Sequence, residues 1–139
     1  MSKRIISMLG LLALTVLMTG VLTAAAPLPT IVVVDGLPPT MHVGETHVVV
    51  VQVESIEQFI SATALPSFQF PGKGVVAVQG GDRVGSDVSA TLEVTFKAKS
   101  STAEFPTGGA APVHVVVGVR YGGGYVVVED FVFQVTVLP

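Results

Sequence analysis

Beyond residue 26 the chain carries 26 valines against only eight isoleucines and leucines together. Valine's two γ-methyls stiffen its first torsion, suit the pleated surface of a strand and disfavour a helix. Gly and Pro recur every 8 to 15 residues, so no apolar stretch runs far before a turn. No segment after residue 26 holds a 3.6-residue apolar period. The chain therefore reads as all-β.

The strands can be placed from this pattern. Residues 30–34 form a short apolar strand between Pro29 and the Pro38-Pro39 pair. Residues 46–53 form a second, entered by the turn at Val43-Gly44-Glu45. Ser55 and Gln58 stand at capping-box spacing, which predicts one helical turn over 55–58. Residues 60–65 predict a third strand stopped by Pro66, residues 68–70 a short fourth stopped by Pro71-Gly72, and residues 74–79 a fifth. In residues 89–98, Ala90, Leu92, Val94, Phe96 and Ala98 alternate with Thr91, Glu93, Thr95 and Lys97, so Leu92, Val94 and Phe96 are expected in the core. Residues 113–121 and 125–138 flank Gly122-Gly123-Gly124 and read as a hairpin. Alternation that buries Phe131, Phe133, Val135 and Val137 also turns Glu129 inward, so a bulge that resets the register is expected at Glu129-Asp130. No period of 20 to 50 residues repeats. About eight short strands with turns between them specify a β-sandwich.

The N-terminus has a different character. Lys3 and Arg4 precede eighteen uncharged residues, 5–22, and Thr23-Ala24-Ala25-Ala26 follows. Positive, apolar and small segments in that order form a secretory signal peptide. Pro27 disfavours a cut after Ala26, so cleavage is expected after Ala25. The domain plan is a signal peptide over 1–25, an N-terminal strand and Pro-rich linker over 26–39, and the sandwich over 40–139. The alternative is an uncleaved anchor, since eighteen apolar residues just reach spanning length; membrane contact is expected only through this segment, if it is uncleaved. After residue 25 there remain five basic residues against ten acidic ones, which excludes the basic face of a nucleic-acid binder. The chain has no Cys, so it has no disulfide, thiolate metal site or cysteine nucleophile, and with no Asn it has no site for N-linked glycosylation. The expected location is secreted, extracellular or at the cell surface.

The order of motifs resembles the immunoglobulin-like domains of archaeal and bacterial surface proteins, the S-layer-type and adhesion-related group. Gly44-Glu45 before an alternating strand is similar to that group's opening turn. Pro66-Ser67-Phe68, the strand from Ser89 through Phe96, the loop Phe105-Pro106-Thr107-Gly108-Gly109 and the hairpin Val117-Gly118-Val119-Arg120-Tyr121-Gly122-Gly123 follow in the same order. The resemblance spans roughly residues 40–137 and rests on turns and alternation. It implies an immunoglobulin-like antiparallel β-sandwich of about seven to eight strands, and it brings no catalytic residues. Members of that group are usually long and tethered, whereas a single domain without a C-terminal anchor is expected here.

No constellation for chemistry emerges from the residues. His42, His47 and His114 are lone histidines on or beside strands, and zinc needs three or four converging ligands. The polar loop Gly80 through Asp87 offers Asp82 and Asp87 as weak calcium candidates, but it lacks the dense oxygen spacing that calcium requires. Gly85-Ser86-Asp87 lacks the strand-turn-helix setting of a serine elbow. Glu54 and Glu57 flank the expected helical turn as solvated carboxylates, and no Gly-rich loop leads into a helix that could cradle phosphate. The expectation is a protein that is not an enzyme and uses no cofactor or metal.

Valine on both faces of a strand is the more informative feature. Val48 and Val50, Val116, and Val126 with Val128 occupy the outer faces of their strands, where a sandwich is ordinarily polar. Such faces are interface candidates. The strand Thr30, Ile31, Val32, Val33 and Val34 either completes its own sheet or inserts into a neighbour as a donor strand. The sequence thus points to a secreted structural or adhesive cell-surface protein, a candidate self-assembling surface-layer or filament subunit using that strand, with copies of itself or other cell-surface proteins as partners. The alternative is a monomeric extracellular module that presents loops to a carbohydrate or a protein.

Overall fold

The computed structural model describes residues 28–139, so the signal segment and its expected cleavage point lie outside the described residues. Within them the alternation resolves into nine strands: β1 (Thr30–Asp35), β2 (Thr40–His42), β3 (Thr46–Phe59), β4 (Ser61–Phe68), β5 (Val75–Ala77), β6 (Asp82–Val84), β7 (Asp87–Ala98), β8 (Ala111–Arg120) and β9 (Val126–Leu138). They form two sheets, β1-β3-β7-β5 and β2-β9-β8-β4-β6. The first has the A-B-E-D order of an immunoglobulin sandwich, and β9-β8-β4 has the facing G-F-C order. The protein is an immunoglobulin-like β-sandwich.

Its core is made where the two inner faces meet. Val49, Val51 and Val53 of β3 and Leu92, Val94 and Phe96 of β7 face Val113, Val115, Val117 and Val119 of β8, and all are almost wholly buried. The alternation in residues 89–98 is therefore realised as expected. Ala62 and Ala64 of β4 are buried beside β8, where small side chains let Phe59 and Phe96 fill the space between the sheets.

The chain changes sheet between β1 and β2. β1 pairs antiparallel with β3, whereas β2 pairs parallel with β9, the one parallel pair among the described strands. Gly36 makes this crossing possible, because a Cβ there would lie 2.6 Å from Cε1 of Phe133. Leu37 drops into the core between the two strands.

Four local expectations are corrected. No helical turn forms over 55–58; β3 continues instead through a bulge. Glu54 faces Ser89 and Phe59 faces Asp87, so five steps along β3 match two along β7. The Ser55 hydroxyl donates to the Glu57 carbonyl at 2.6 Å and closes the bulge without a capping box. Pro66 does not stop its strand, and β4 runs through it to Phe68, so residues 68–70 are not a separate strand. Proline holds a place in a sheet only where its nitrogen faces away from the ladder, and beyond Ala64 no strand covers that side of β4. The polar residues 82–84 form the edge strand β6. Finally, β8 and β9 pair without a register shift from Ala111↔Val135 to Arg120↔Val126, so no bulge forms at Glu129-Asp130. Glu129 keeps its inward parity and is half-buried, as is Val127 two residues before it.

Candidate interaction surface

Three strands build the most apolar outer face. On β9, β8 and β4 the outward residues line up in rungs: Val126–Arg120–Ser61, Val128–Gly118–Thr63, Asp130–Val116–Leu65 and Val132–His114–Ser67. Val128 is 63% exposed, and Leu65, Val126 and Val132 are also exposed. Val116 is half-buried among them. His114 Nδ1 lies 3.0 Å from Asp130 Oδ1 and ties β8 to β9 diagonally across this face. At the β4 edge, Arg83 of β6 pairs beside Thr63. An open cleft of about 410 Å³ lies here, lined by Thr63, Leu65, Gln79, Asp82 and Arg83 with the Gly80-Gly81 backbone.

The outer face of the other sheet is divided. On its β1 side, Val32, Val34 and Val48 are exposed and Val50 is half-exposed. Farther along, the Thr91 hydroxyl donates to Gln52 Oε1 at 2.9 Å, and Gln52 Nε2 donates to Glu54 at 2.9 Å, so that half is a solvated hydrogen-bonded surface. His47 Nε2 lies 3.3 Å from Asp35 Oδ1 and links β3 to the end of β1.

The strand over Thr30–Val34 is seated in its own chain. Ile31 faces Val53 and is 2% exposed, and Val33 faces Val51, so both belong to the core wall while Val32 and Val34 point outward. Of the two paths open to this strand, the structure displays pairing within the chain.

The loop-bearing end next to β8 and β9 is held by a tyrosine. Ser55 Oγ and the Tyr121 hydroxyl are 2.7 Å apart, and since Ser55 donates to Glu57, Tyr121 donates to Ser55. Burial raises the Tyr121 pKa above its ordinary value of 10.0; the Ser55 hydrogen bond opposes that shift, and the charges of Tyr125 and Glu57 add to it. The Tyr121 and Tyr125 rings lie 5.9 Å apart across the Gly122–Gly124 turn. The bulge in β3 and the β8–β9 turn are thus joined at one end of the sandwich.

The two calcium candidates serve the backbone. Asp82 Oδ1 accepts the Arg83 amide at 2.8 Å, and its Oδ2 accepts the Glu93 amide at 2.9 Å, which fastens β6 to the edge of β7. Asp87 Oδ1 accepts the amides of Val88 at 2.7 Å and Ser89 at 3.4 Å and starts β7. No group of three or more histidine or acidic side chains placed to hold a metal occurs among the described residues.

The sequence places Val116, Val126 and Val128 on the outer faces of their strands, and pairing of β8 with β9 brings them onto one sheet face together with four neighbours that the sequence does not single out. Leu65 stands at the expected end of its strand, Arg83 in the expected polar loop, and Gly118 and Val132 within the strands of the expected hairpin. Ile56, at 97% the most exposed large apolar side chain among the described residues, falls within the expected helical turn. The missing signal was the length of β4: once that strand runs through Pro66, Leu65 becomes an interior outward position.

No family model and no curated protein matches the sequence. Similar solved structures include E. coli alpha-2-macroglobulin in its native conformation, at 12% identity over 78% of this chain and 7% of that one, with a TM-score of 0.48. Domains 4 and 5 of the S-layer protein SbsC are similar at 13% identity over 84% of this chain and 55% of that one, with a TM-score of 0.49. AvmM, which catalyses macrocyclization in alchivemycin A biosynthesis, is similar at 12% identity, covering 81% of this chain and 90% of that one, with a TM-score of 0.39. The chain thus spans 7% and 55% of the first two. At this level of likeness none of them transfers a function, and the assignment to an immunoglobulin-like sandwich rests on the strand order itself.

Proposed function

We propose that this chain is an exported structural or adhesive protein of the cell surface, without enzymatic activity, that associates with copies of itself. The observation that carries this reading is the outer face of β9, β8 and β4, where exposed Leu65, Val128 and Val132 lie beside and diagonal to half-buried Val116, with exposed Val126 farther along β9. Isolated exposed valines are ordinary, but apolar side chains gathered on three adjacent strands, here interspersed with Arg120, Thr63 and the His114–Asp130 pair, mark a candidate interaction surface. The charged, apolar and small segments of residues 1–26 support export. With Ile31 in the core of its own sandwich, association through a sheet face is better supported than donation of β1.

Expression of the full chain in a bacterial host, followed by fractionation and N-terminal sequencing, tests the reading. The expected product begins at Ala26, lies outside the cytoplasm and sediments as more than a monomer. Monomeric protein retained in the cytoplasm with Met1 intact contradicts it.

A further inference from the structure

Nothing among the described residues requires position 118 to be glycine. It lies in the interior of β8, a strand paired on both sides, where glycine weakens a sheet by loss of backbone entropy and side-chain packing. It is not among the glycines with positive φ. Among the described residues a Cβ built there meets only Thr63 Oγ1, at an ordinary contact distance of 3.5 Å. Its effect is to leave a hollow in the outer face, rimmed by Val116, Val128 and Thr63. Arg83 and Arg120, the two arginines beyond Arg4, stand beside this hollow, one next to Thr63 and the other one rung away. Among the described residues neither arginine forms an ion pair.

The same molecule carries a matching projection. Ile56 sits at the crest of the β3 bulge, 97% exposed, with Glu54 two residues before it and Glu57 directly after. The bulge is held in place by the hydrogen bonds of Ser55 to Glu57 and Tyr121, so the isoleucine is presented by a fixed backbone rather than a loose loop. An apolar side chain flanked by two carboxylates complements an apolar hollow flanked by two guanidinium groups.

We infer that Ile56 of one copy docks over Gly118 of a second copy, with Glu57 and Glu54 meeting Arg120 and Arg83 at the rim. The occupant of the β9-β8-β4 face is thus another molecule of this chain, and the inference rests on the self-association proposed above. The contact joins two different patches, so it is heterologous. It closes into a ring or dimer if the rotation between copies returns on itself and extends as a filament if it does not.

Sedimentation velocity on the exported chain tests this with two variants. Ile56→Asp removes the projection and keeps the hollow; Gly118→Val fills the hollow and keeps the projection. Thermal unfolding of Gly118→Val serves as the folding control, because valine at an outward strand position should leave the monomer at least as stable. The expected result is an assembled wild type, two monomeric variants, and a dimer with no larger species in their equimolar mixture, since one intact contact remains between them. A wild type that stays monomeric overturns both this contact and the self-association reading. A wild type that assembles while either variant also assembles overturns the contact alone, as does a mixture of monomeric variants that yields no dimer.

Discussion

The side chains that matter most to stability are those whose role is set by parity. Phe96 is fully buried near the C-terminal end of β7, whereas its neighbour Thr95 lies on the outer face. Phe96→Ala should lower the unfolding free energy by roughly 3–5 kcal/mol, and Thr95→Ala should change it little; chemical denaturation of the two variants checks the facing. Thr102 is a rarer case, a buried polar residue in the β7–β8 connection. Its hydroxyl donates to the Gly109 carbonyl at 2.7 Å and accepts the Val137 amide at 2.9 Å. Thr102→Val keeps the shape but strands both groups, and denaturant midpoints should report a loss of about 1–3 kcal/mol. Tyr121 gives a pH signature. Its pKa is raised in the folded state, so the unfolded chain releases that proton first. The contribution of Tyr121 to stability is therefore level well below pH 10.0 and falls as pH rises through 10.0 toward the folded value. Thermal melts of wild type against Tyr121→Phe should show that alkaline slope in the wild type and a shallower one in the variant.

At the scale of elements, β1 separates two views of the molecule. If Ile31 is part of its own core, Ile31→Ala destabilises the monomer by roughly 2–5 kcal/mol, while Val32→Ala on the outer face has little effect. Equal, small effects in urea denaturation would place β1 outside the fold. Much of this architecture was legible in the sequence because valine alternation and Gly/Pro punctuation are local signals. β3, β7, β8, β9 and the Gly122–Gly124 turn follow from them directly. The elements that were not legible depend on distant neighbours. β2 has three residues and exists because β9 offers it a parallel edge. β6 is polar and exists because Asp82 anchors it to the Glu93 amide. Ser55 was read as a helix cap because its spacing to Gln58 fits one. The competing partners, the Glu57 carbonyl and a tyrosine 66 residues away, appear only once the sheets are assembled. The candidate surface was half-visible for the same reason: valines of β8 and β9 betray it, but Leu65, Arg83 and Gly118 join them only through strand pairing.

For the whole molecule, the distribution of polarity between the two outer faces carries the functional argument. One sheet keeps a hydrogen-bonded polar network over Gln52, Glu54 and Thr91 beside the exposed valines of its β1 side, while the other presents valines and a leucine across three strands around the His114–Asp130 pair. After residue 25 the chain is acidic, yet both arginines beyond Arg4 lie on the apolar face. If copies associate through this face as proposed, that asymmetry should steer acidic segments toward it and make the association sensitive to salt. Valine methyl NMR across a concentration series, on chain exported from cells, reads the claim at the residues concerned. The account predicts that Val116, Val126, Val128 and Val132 shift as concentration rises, while the core methyls of Val49 and Val115 and the outer methyls of Val48 and Val50 hold still. Shifts confined to Val32, Val34, Val48 and Val50, or none at any valine, would contradict it.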